Sequence, residues 1–389
     1  MTKINKIYRG LCSFAVFGGM LEKPLYKKFF EYAKANEADE KLRKYASFVS
    51  EIYRGGSLLT DCVRSLVFED ENVYVRAVGN MEKIAPGMWT SVEHELEVLS
   101  EFAALTPADF AEDMGTDEFI PPFETGKADI KAEYESRLGS IGKYGYGIFA
   151  SNGMFSVDDD GTIQPIASAD RITLNKFVGY KEERQKVLDN TEAFLRGKPG
   201  ANILLYGDAG TGKSSTVKAV ANNFFEEGLR LIEVRKDQLL LLSKVMGEIS
   251  GNPLKFIIFI DDLSFNGNED FSMLKATLEG SASAKAKNAV IYATSNRRHI
   301  VKETFSDRTG DDLHRNDTIQ ENLSLSARFG LTVLFAKPEK KLYLEIIHEL
   351  AERNGIAVDA ELETKAEAFA LSRGYRSARC AEQFIESLI

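Results

Sequence analysis

The stretch Gly207-Asp208-Ala209-Gly210-Thr211-Gly212-Lys213-Ser214-Ser215 follows directly on the apolar run Ile203 to Tyr206. An apolar strand, a glycine-rich turn and then a helix start is the setting of a phosphate-binding Walker A loop. Glycines at 207, 210 and 212 let the backbone turn tightly and aim its N–H groups inward, so that loop and helix N-terminus form an anion cradle. In that cradle Asp208, Ala209, Thr211 and Ser215 lie along the phosphates with the glycines. Lys213 is expected to reach the β- and γ-phosphates, and Ser214 to offer its hydroxyl to Mg²⁺, a hard cation that takes oxygen ligands. The cofactors expected are therefore a nucleoside triphosphate and Mg²⁺, and the residues of the loop do not choose between ATP and GTP.

Working outward, the next apolar run is Phe256 to Ile260, which ends in Asp261-Asp262. A buried strand closing on two carboxylates, downstream of a phosphate loop, is the Walker B pattern. Asp261 is expected in the Mg²⁺ shell, and Asp262 where a carboxylate would polarise the attacking water. The alternative is a helix cap or turn. A further strand, Ala289 to Ala293, runs into Thr294-Ser295-Asn296 and presents Asn296 as a polar contact for the γ-phosphate; a strand end that caps the next segment is the competing reading. Arg328, in Ser324 to Gly330, is the candidate arginine finger, a residue that steadies developing charge on a transferred phosphoryl group, with a local salt bridge as the alternative. Arg379, in Ser377-Ala378-Arg379, is preferred over Arg376 as a nucleotide contact from the C-terminal helices.

The rest of the chain supplies the frame. From Thr173 onward helices alternate with apolar strands, as in a parallel sheet with crossover helices. Strands are expected at 202–206, 230–234, 255–260, 288–293 and 332–335, and helices at 181–195, 213–227, 236–249 and 271–278. Three helical patterns at 339–354, 361–372 and 377–388 follow Pro338 and predict a C-terminal lid. Upstream, amphipathic runs such as Leu25 to Tyr32, Leu58 to Phe68 and Val92 to Leu105 predict a mainly helical region. Short strands around the Asp158-Asp159-Asp160-Gly161 turn predict a small hairpin between the halves. That turn lacks the alternating ligands and distal Glu of a calcium loop and is assigned no metal. The expected organisation is residues 1–140 helical, 141–172 a β connector, 173–336 an α/β P-loop core and 337–389 the helical lid.

With 389 residues, 44% of them hydrophobic, the chain can bury a large core. A net charge of −10 disfavours broad adhesion to nucleic acid or anionic membrane. Cys12, Cys62 and Cys380 are widely spaced, as are His94, His299, His314 and His348, so neither a disulfide framework nor a zinc site is suggested. A reducing cytoplasm is the expected compartment. The apolar stretch Leu11 to Met20 after Lys3, Lys6 and Arg9 is interrupted by Gly18-Gly19 and has no small-x-small cleavage site, so it is read as folded chain rather than as a signal peptide or a span. Leu239 to Leu242 are read as core rather than as a substrate-gripping loop.

This order of parts resembles the AAA+ ATPases, with Phe177-Val178-Gly179-Tyr180 similar to their adenine-side element before the phosphate loop. The resemblance implies an AAA+ type parallel sheet, assignment of Val178, Gly179 and Tyr180 to the base, and assembly into homo-oligomers. Over about residues 145 to 389 the chain is similar to one bacterial family of ATP-binding proteins with a domain of unknown function. Asp261-Asp262-Leu263-Ser264-Phe265 and Ala293-Thr294-Ser295-Asn296-Arg297-Arg298-His299 carry that likeness. Members more often have Glu where this chain has Asn266 and Asp where it has Ala327. The functions implied are ATP hydrolysis coupled to an unidentified macromolecular partner of the N-terminal region, a nucleotide-gated switch with little turnover, or a replication or recombination loader. For the loader, the Arg328 segment resembles that of bacterial replication initiators, and Arg297 and Arg298 would touch nucleic acid.

Overall fold

Turns rich in proline and polar caps divide the first part of the chain into amphipathic helices that each bury one face, aliphatic in Lys3–Leu11 and Leu59–Glu69 and mostly aromatic in Pro24–Lys34. The computed structural model describes residues 1–56, 58–167, 172–263, 286–296 and 329–389. These fall into two units, Met1–Ser151 and Asn152–Ile389.

The first unit is helical: α1 (Lys3–Leu11), α2 (Pro24–Lys34), α3 (Ala38–Arg54), α4 (Leu59–Glu69), α5 (Val73–Gly79), α6 (Pro86–Ala103), α7 (Pro107–Met114), α8 (Ile130–Gly139) and a single turn, α9 (Ile141–Tyr144). Proline opens α2, α6 and α7, where no intrahelical N–H is lost. Asn72 caps α5 through its side-chain oxygen, and Thr106 and Asp109 make a reciprocal capping box on α7. The core is aromatic. Phe29 lies 4.8 Å edge-on from Phe102, and Phe110 packs between Tyr32 and Phe48 at 5.1 and 5.5 Å. The apolar stretch after α1 belongs to this core, with Leu11, Phe17 and Met20 fully buried.

One buried carboxylate organises the entry to that core. Glu95 of α6, 1% exposed, accepts the backbone N–H groups of Ala15 (2.8 Å), Val16 (3.1 Å) and Phe17 (2.7 Å). These amides lie between α1 and α2 and have no helical partner, so the carboxylate replaces the water that they would otherwise bind.

The second unit is built on a seven-stranded sheet of order β2-β1-β4-β5-β6-β3-β7 among the described residues. The strands are β1 (Met154–Val157), β2 (Ile163–Pro165), β3 (Ile203–Gly207), β4 (Leu229–Glu233), β5 (Lys255–Ile260), β6 (Ala289–Ser295) and β7 (Leu331–Phe335). All neighbours run parallel except β1 and β2. Parallel strands covered on both faces read as continuous apolar runs, and Phe256 to Ile260 are accordingly 0% exposed. Helices α10 (Lys181–Leu195), α11 (Lys213–Asn223) and α12 (Leu242–Ile249) serve the sheet. After β7 come the lid helices α13 (Lys340–Arg353), α14 (Ala360–Arg373) and α15 (Ala378–Glu386). Tyr343, Ala366 and Cys380 are buried among the lid helices and share one hydrophobic core with the sheet.

Two expectations are revised. The hairpin expected as a separate connector is the edge of this sheet, because Met154, Phe155 and Ser156 pair with Leu231, Ile232 and Glu233 of β4. The expected helix over 236–249 begins as a 3-10 turn, Lys236–Leu241, and becomes α-helical only at Leu242. The tighter turn rotates successive side chains by about 120°, so Leu239 and Leu242 are buried while Leu240 is 71% exposed. The expected helix at 271–278 lies outside the described residues. No helix among the described residues is long and apolar enough to cross a membrane.

The Glu95 site makes a stability prediction. Glu95→Ala removes the acceptor of three amides, two of them in the buried residues Val16 and Phe17, and each buried donor left unmet costs about 1–3 kcal/mol. A loss of roughly 3 kcal/mol or more is expected in urea unfolding followed by the single tryptophan, Trp89 of α6; an unchanged midpoint would show the carboxylate to be dispensable.

Candidate nucleotide site

In an open α/β sheet, ligands settle beyond the carboxyl ends of the strands where the strand order reverses. Here that point is β3, flanked by β6 on one side and β7 on the other. The Gly207 to Ser215 loop leaves β3 at that end and runs into α11.

Glycine is required at the start of the loop. Gly207 has φ +130° and its α-carbon sits so close to β7 that an added Cβ would lie 2.2 Å from the Phe335 carbonyl oxygen. The same carbonyl accepts the Asp208 N–H at 3.2 Å. Gly210 and Gly212 also have positive φ, +74° and +88°, and Gly212 is the residue from which α11 starts. Ala209 is exposed at the loop apex, whereas Thr211 is buried and donates its hydroxyl to the Asp208 carbonyl at 2.9 Å.

Lys213 lies 5% exposed beneath the loop, and its ammonium donates to the carbonyls of Gly207 (2.9 Å) and Asp208 (2.6 Å). Burial holds its pKa below the ordinary lysine value, and Asp208, Asp261 and Asp262 oppose that shift.

Sheet register brings the acidic pair to the loop. Ile260 pairs with Ala293, so the next residues, Asp261 and Thr294, stand side by side, and strand period two places Asn296 on the same face one step on. The Asp261 Oδ1 atom accepts the Ser214 hydroxyl at 2.6 Å and the Thr294 hydroxyl at 2.5 Å. Asp262 is exposed and has a left-handed backbone, φ +51°. Its N–H donates to Thr294 Oγ1 at 2.9 Å, and its Oδ1 accepts Asn296 Nδ2 at 2.8 Å. Lys213, Ser214, Asp261, Asp262 and Asn296 are thus gathered at one corner of the sheet.

The donor set suits Mg²⁺: a serine hydroxyl and one carboxylate converge within 2.6 Å at the loop mouth. Mg²⁺ is usually held by one or two carboxylates together with substrate phosphates rather than by an all-protein cage. The described residues contain no group of three or more His, Cys, Asp or Glu side chains able to hold a metal.

Beside the loop is a cavity of about 80 Å³. One wall is Phe177 and Val178 with Gly210 to Gly212 and Ser215; the other is the lid, through Ile346 and Leu350 of α13 and Ala378 and Arg379 of α15. The Arg379 N–H donates to the Gly210 carbonyl at 3.2 Å. Arg376 is instead paired within the lid, donating to both oxygens of Glu367 at 3.0 and 2.7 Å. Gly179 and Tyr180 turn from this cavity into a neighbouring groove of about 650 Å³. Tyr180 stacks near Phe335 and donates its hydroxyl to the Ala336 carbonyl at 2.7 Å. Arg328, Arg297, Arg298 and His299 lie outside the described residues.

Residues that the sequence reading passed over also line the cavity. Arg184 of α10 is 7% exposed, donates to the Gly179 carbonyl and lies 5.2 Å over the Phe177 ring. Its signal was weak, a lone arginine in a charged helix. Thr294 was legible in principle, because it precedes Asn296 by one strand period.

The strand order, the phosphate loop at the order reversal and the three helices after β7 define an α/β P-loop fold. A family model described as "Protein of unknown function (DUF815)" matches residues 151–389, and the chain belongs to that family. Comparison with curated proteins gives no match. Among solved structures, two of RuvB from Thermotoga maritima are similar at 15% and 14% identity, a point variant and a structure titled as a Holliday junction branch migration motor. Each likeness covers 56% of this chain and 72% of the other, with a TM-score of 0.34.

The Lys213 environment predicts a pH dependence. Because burial depresses its pKa, Lys213 becomes neutral at a lower pH than a free lysine, and a neutral amine no longer attracts phosphate. Triphosphate affinity should therefore fall on the alkaline side before ordinary lysines titrate, and Lys213→Arg should flatten that limb. Calorimetric titration with ATP from neutral to alkaline pH checks this; an affinity that is flat in that range contradicts it.

Proposed function

We propose that the chain is a Mg²⁺-dependent ATPase that self-assembles through its AAA+ module and acts on a macromolecular partner recognised by its helical first unit. The observation that carries the reading is the chain of contacts Ser214–Asp261, Asp261–Asp262 and Asp262–Asn296 at the end of the sheet, beside a phosphate loop whose carbonyls hold Lys213. In this reading the loop amides and Lys213 grip the phosphates. Arriving phosphate offers the ammonium a charged partner in place of the two loop carbonyls, a stronger interaction at a site shielded from water. Mg²⁺ held by Ser214 and Asp261 would neutralise phosphate charge. Asp262, steered by Asn296, polarises the attacking water, and Arg328 completes the site by contacting the transferred phosphoryl group.

The lid supplies nucleotide sensing. Ile346, Leu350 and Arg379 wall one side of the cavity beside the loop, so a nucleoside that entered there would bear on the lid. Nucleotide exchange would thereby move the lid. The net charge of −10 weighs against the loader.

The deciding experiment is steady-state phosphate release from Mg²⁺-ATP over a wide protein concentration range, with Lys213→Ala as the blank. Specific activity rising with concentration is expected, since a site completed by a neighbour's arginine needs assembly. Rates level with the blank despite bound ATP would establish the switch instead.

Asp262→Asn keeps a side chain that tolerates a left-handed backbone and an oxygen for Asn296. It should bind ATP as the parent does and lose about 10²–10⁴ in turnover, the usual worth of a positioned general base. Retained turnover would assign the water to another group.

A further inference from the structure

The hydroxyl of Thr294 lies between both acidic residues and does a different job at each. Thr294 is 2% exposed in the interior strand β6. Its oxygen accepts the Asp262 N–H at 2.9 Å, which sends its own proton the other way, to Asp261 Oδ1 at 2.5 Å. The Thr294 carbonyl takes the next amide, Leu263 N–H, at 2.7 Å. One residue therefore fixes the carboxylate of Asp261 and the turn through Asp262.

Each contact answers a physical demand. A carboxylate has two oxygens and free rotation about its last bond, so a donor on one oxygen selects the direction of the other. Ser214 also donates to Oδ1, but Ser214 is the group that must turn its oxygen toward a cation; Thr294, buried behind the pair, is the donor that can stay. At Asp262 the left-handed backbone, φ +51°, is a conformation that L-residues avoid at about 1–2 kcal/mol. Asp262 N–H also lies 3.1 Å from Asp261 Oδ1, so the strained peptide is held against two oxygens, one of which is itself fixed by Thr294.

We infer that Thr294 is a positioning residue of the site, whose hydroxyl aims the Asp261 carboxylate at the cation and holds the Asp262 backbone in place for the water. This rests on the Mg²⁺-ATP reading and adds to it a residue that contacts neither nucleotide nor cation. Groups behind a metal ligand typically govern metal affinity by 10–100-fold, whereas the phosphate loop itself is untouched by Thr294. The consequence is a separation: Thr294 should matter for nucleotide binding with Mg²⁺ and be silent without it.

The test uses the full chain and three variants. Thr294→Val keeps the branched shape that suits a buried strand and removes both hydrogen bonds; Thr294→Ser restores the hydroxyl on a smaller side chain. Binding of a ribose-labelled fluorescent ATP is measured in EDTA and then titrated with Mg²⁺, independently of turnover. Thr294→Val is expected to bind as the parent does in EDTA, to need about 10–100-fold more Mg²⁺ for half-effect, and to release phosphate more slowly at saturating Mg²⁺. Thr294→Ser should recover most of both losses. A Mg²⁺ titration of Thr294→Val that overlays the parent overturns the inference. So does equal impairment of the Val and Ser variants, or a parallel loss of affinity in EDTA, since each marks a packing role. Should the Val variant not fold, Thr294→Ala is titrated in its place against the same criteria. A parent chain whose ATP affinity ignores Mg²⁺ would instead bring down the proposed function, and this inference with it.

Discussion

A single carboxylate oxygen, Oδ1 of Asp261, ties together the parts on which the site depends. It receives hydroxyls from the first turn of α11 and the end of β6, and lies at the end of β5. Charge-assisted bonds of this kind are roughly twice as strong as neutral ones, and here they join segments far apart in sequence. The oxygen can be held so only because the strands below are rigid: Phe256 to Ile260 are sealed on both faces, and their register with β6 fixes which side chains meet above. The apolar sheet sets the geometry, and the carboxylate uses it.

What could be read from the chain beforehand follows from that division of labour. The phosphate loop and the acidic pair are contiguous in sequence, and each sits on an apolar run whose length and composition already say strand. Asn296 is also reachable, because strand periodicity carries it to the sheet end. The edge hairpin is legible as a hairpin, but its place in the sheet is not. Asp158 to Gly161 mark the turn between β1 and β2, but nothing local to Met154–Val157 says that β4 lies on its other side. Nonlocal pairing leaves no periodic trace. The lid wall is similar: Ile346 and Leu350 look like ordinary core positions of an amphipathic helix, and only the packed structure turns them toward the phosphate loop. Leu240 shows a third case, in which a change from α to 3-10 geometry moves one leucine of four to the surface.

The junction between sheet and lid shows how occupancy at the loop would reach the helices beyond it. The Asp208 carboxylate, inside the phosphate loop, accepts the Lys337 N–H at 2.9 Å, and Tyr180 holds the adjacent Ala336 carbonyl. Both residues stand just before Pro338, where the missing N–H and fixed φ stop the strand from continuing and start the lid. The element before the loop and the loop itself therefore grip the same two-residue hinge. At the far end of the lid, Arg379 donates to Gly210. The lid helices pack on one another through Tyr343, whose hydroxyl donates to the Ala366 carbonyl at 3.2 Å. In the proposed reading, phosphate that displaced the loop would bear on both junctions, the one through Asp208 and the one through Gly210. The lid helices also share one hydrophobic core with the sheet through Tyr343, Ile346 and Ala381, so a lid movement that admitted nucleotide between Phe177 and Ile346 would have to repack that core.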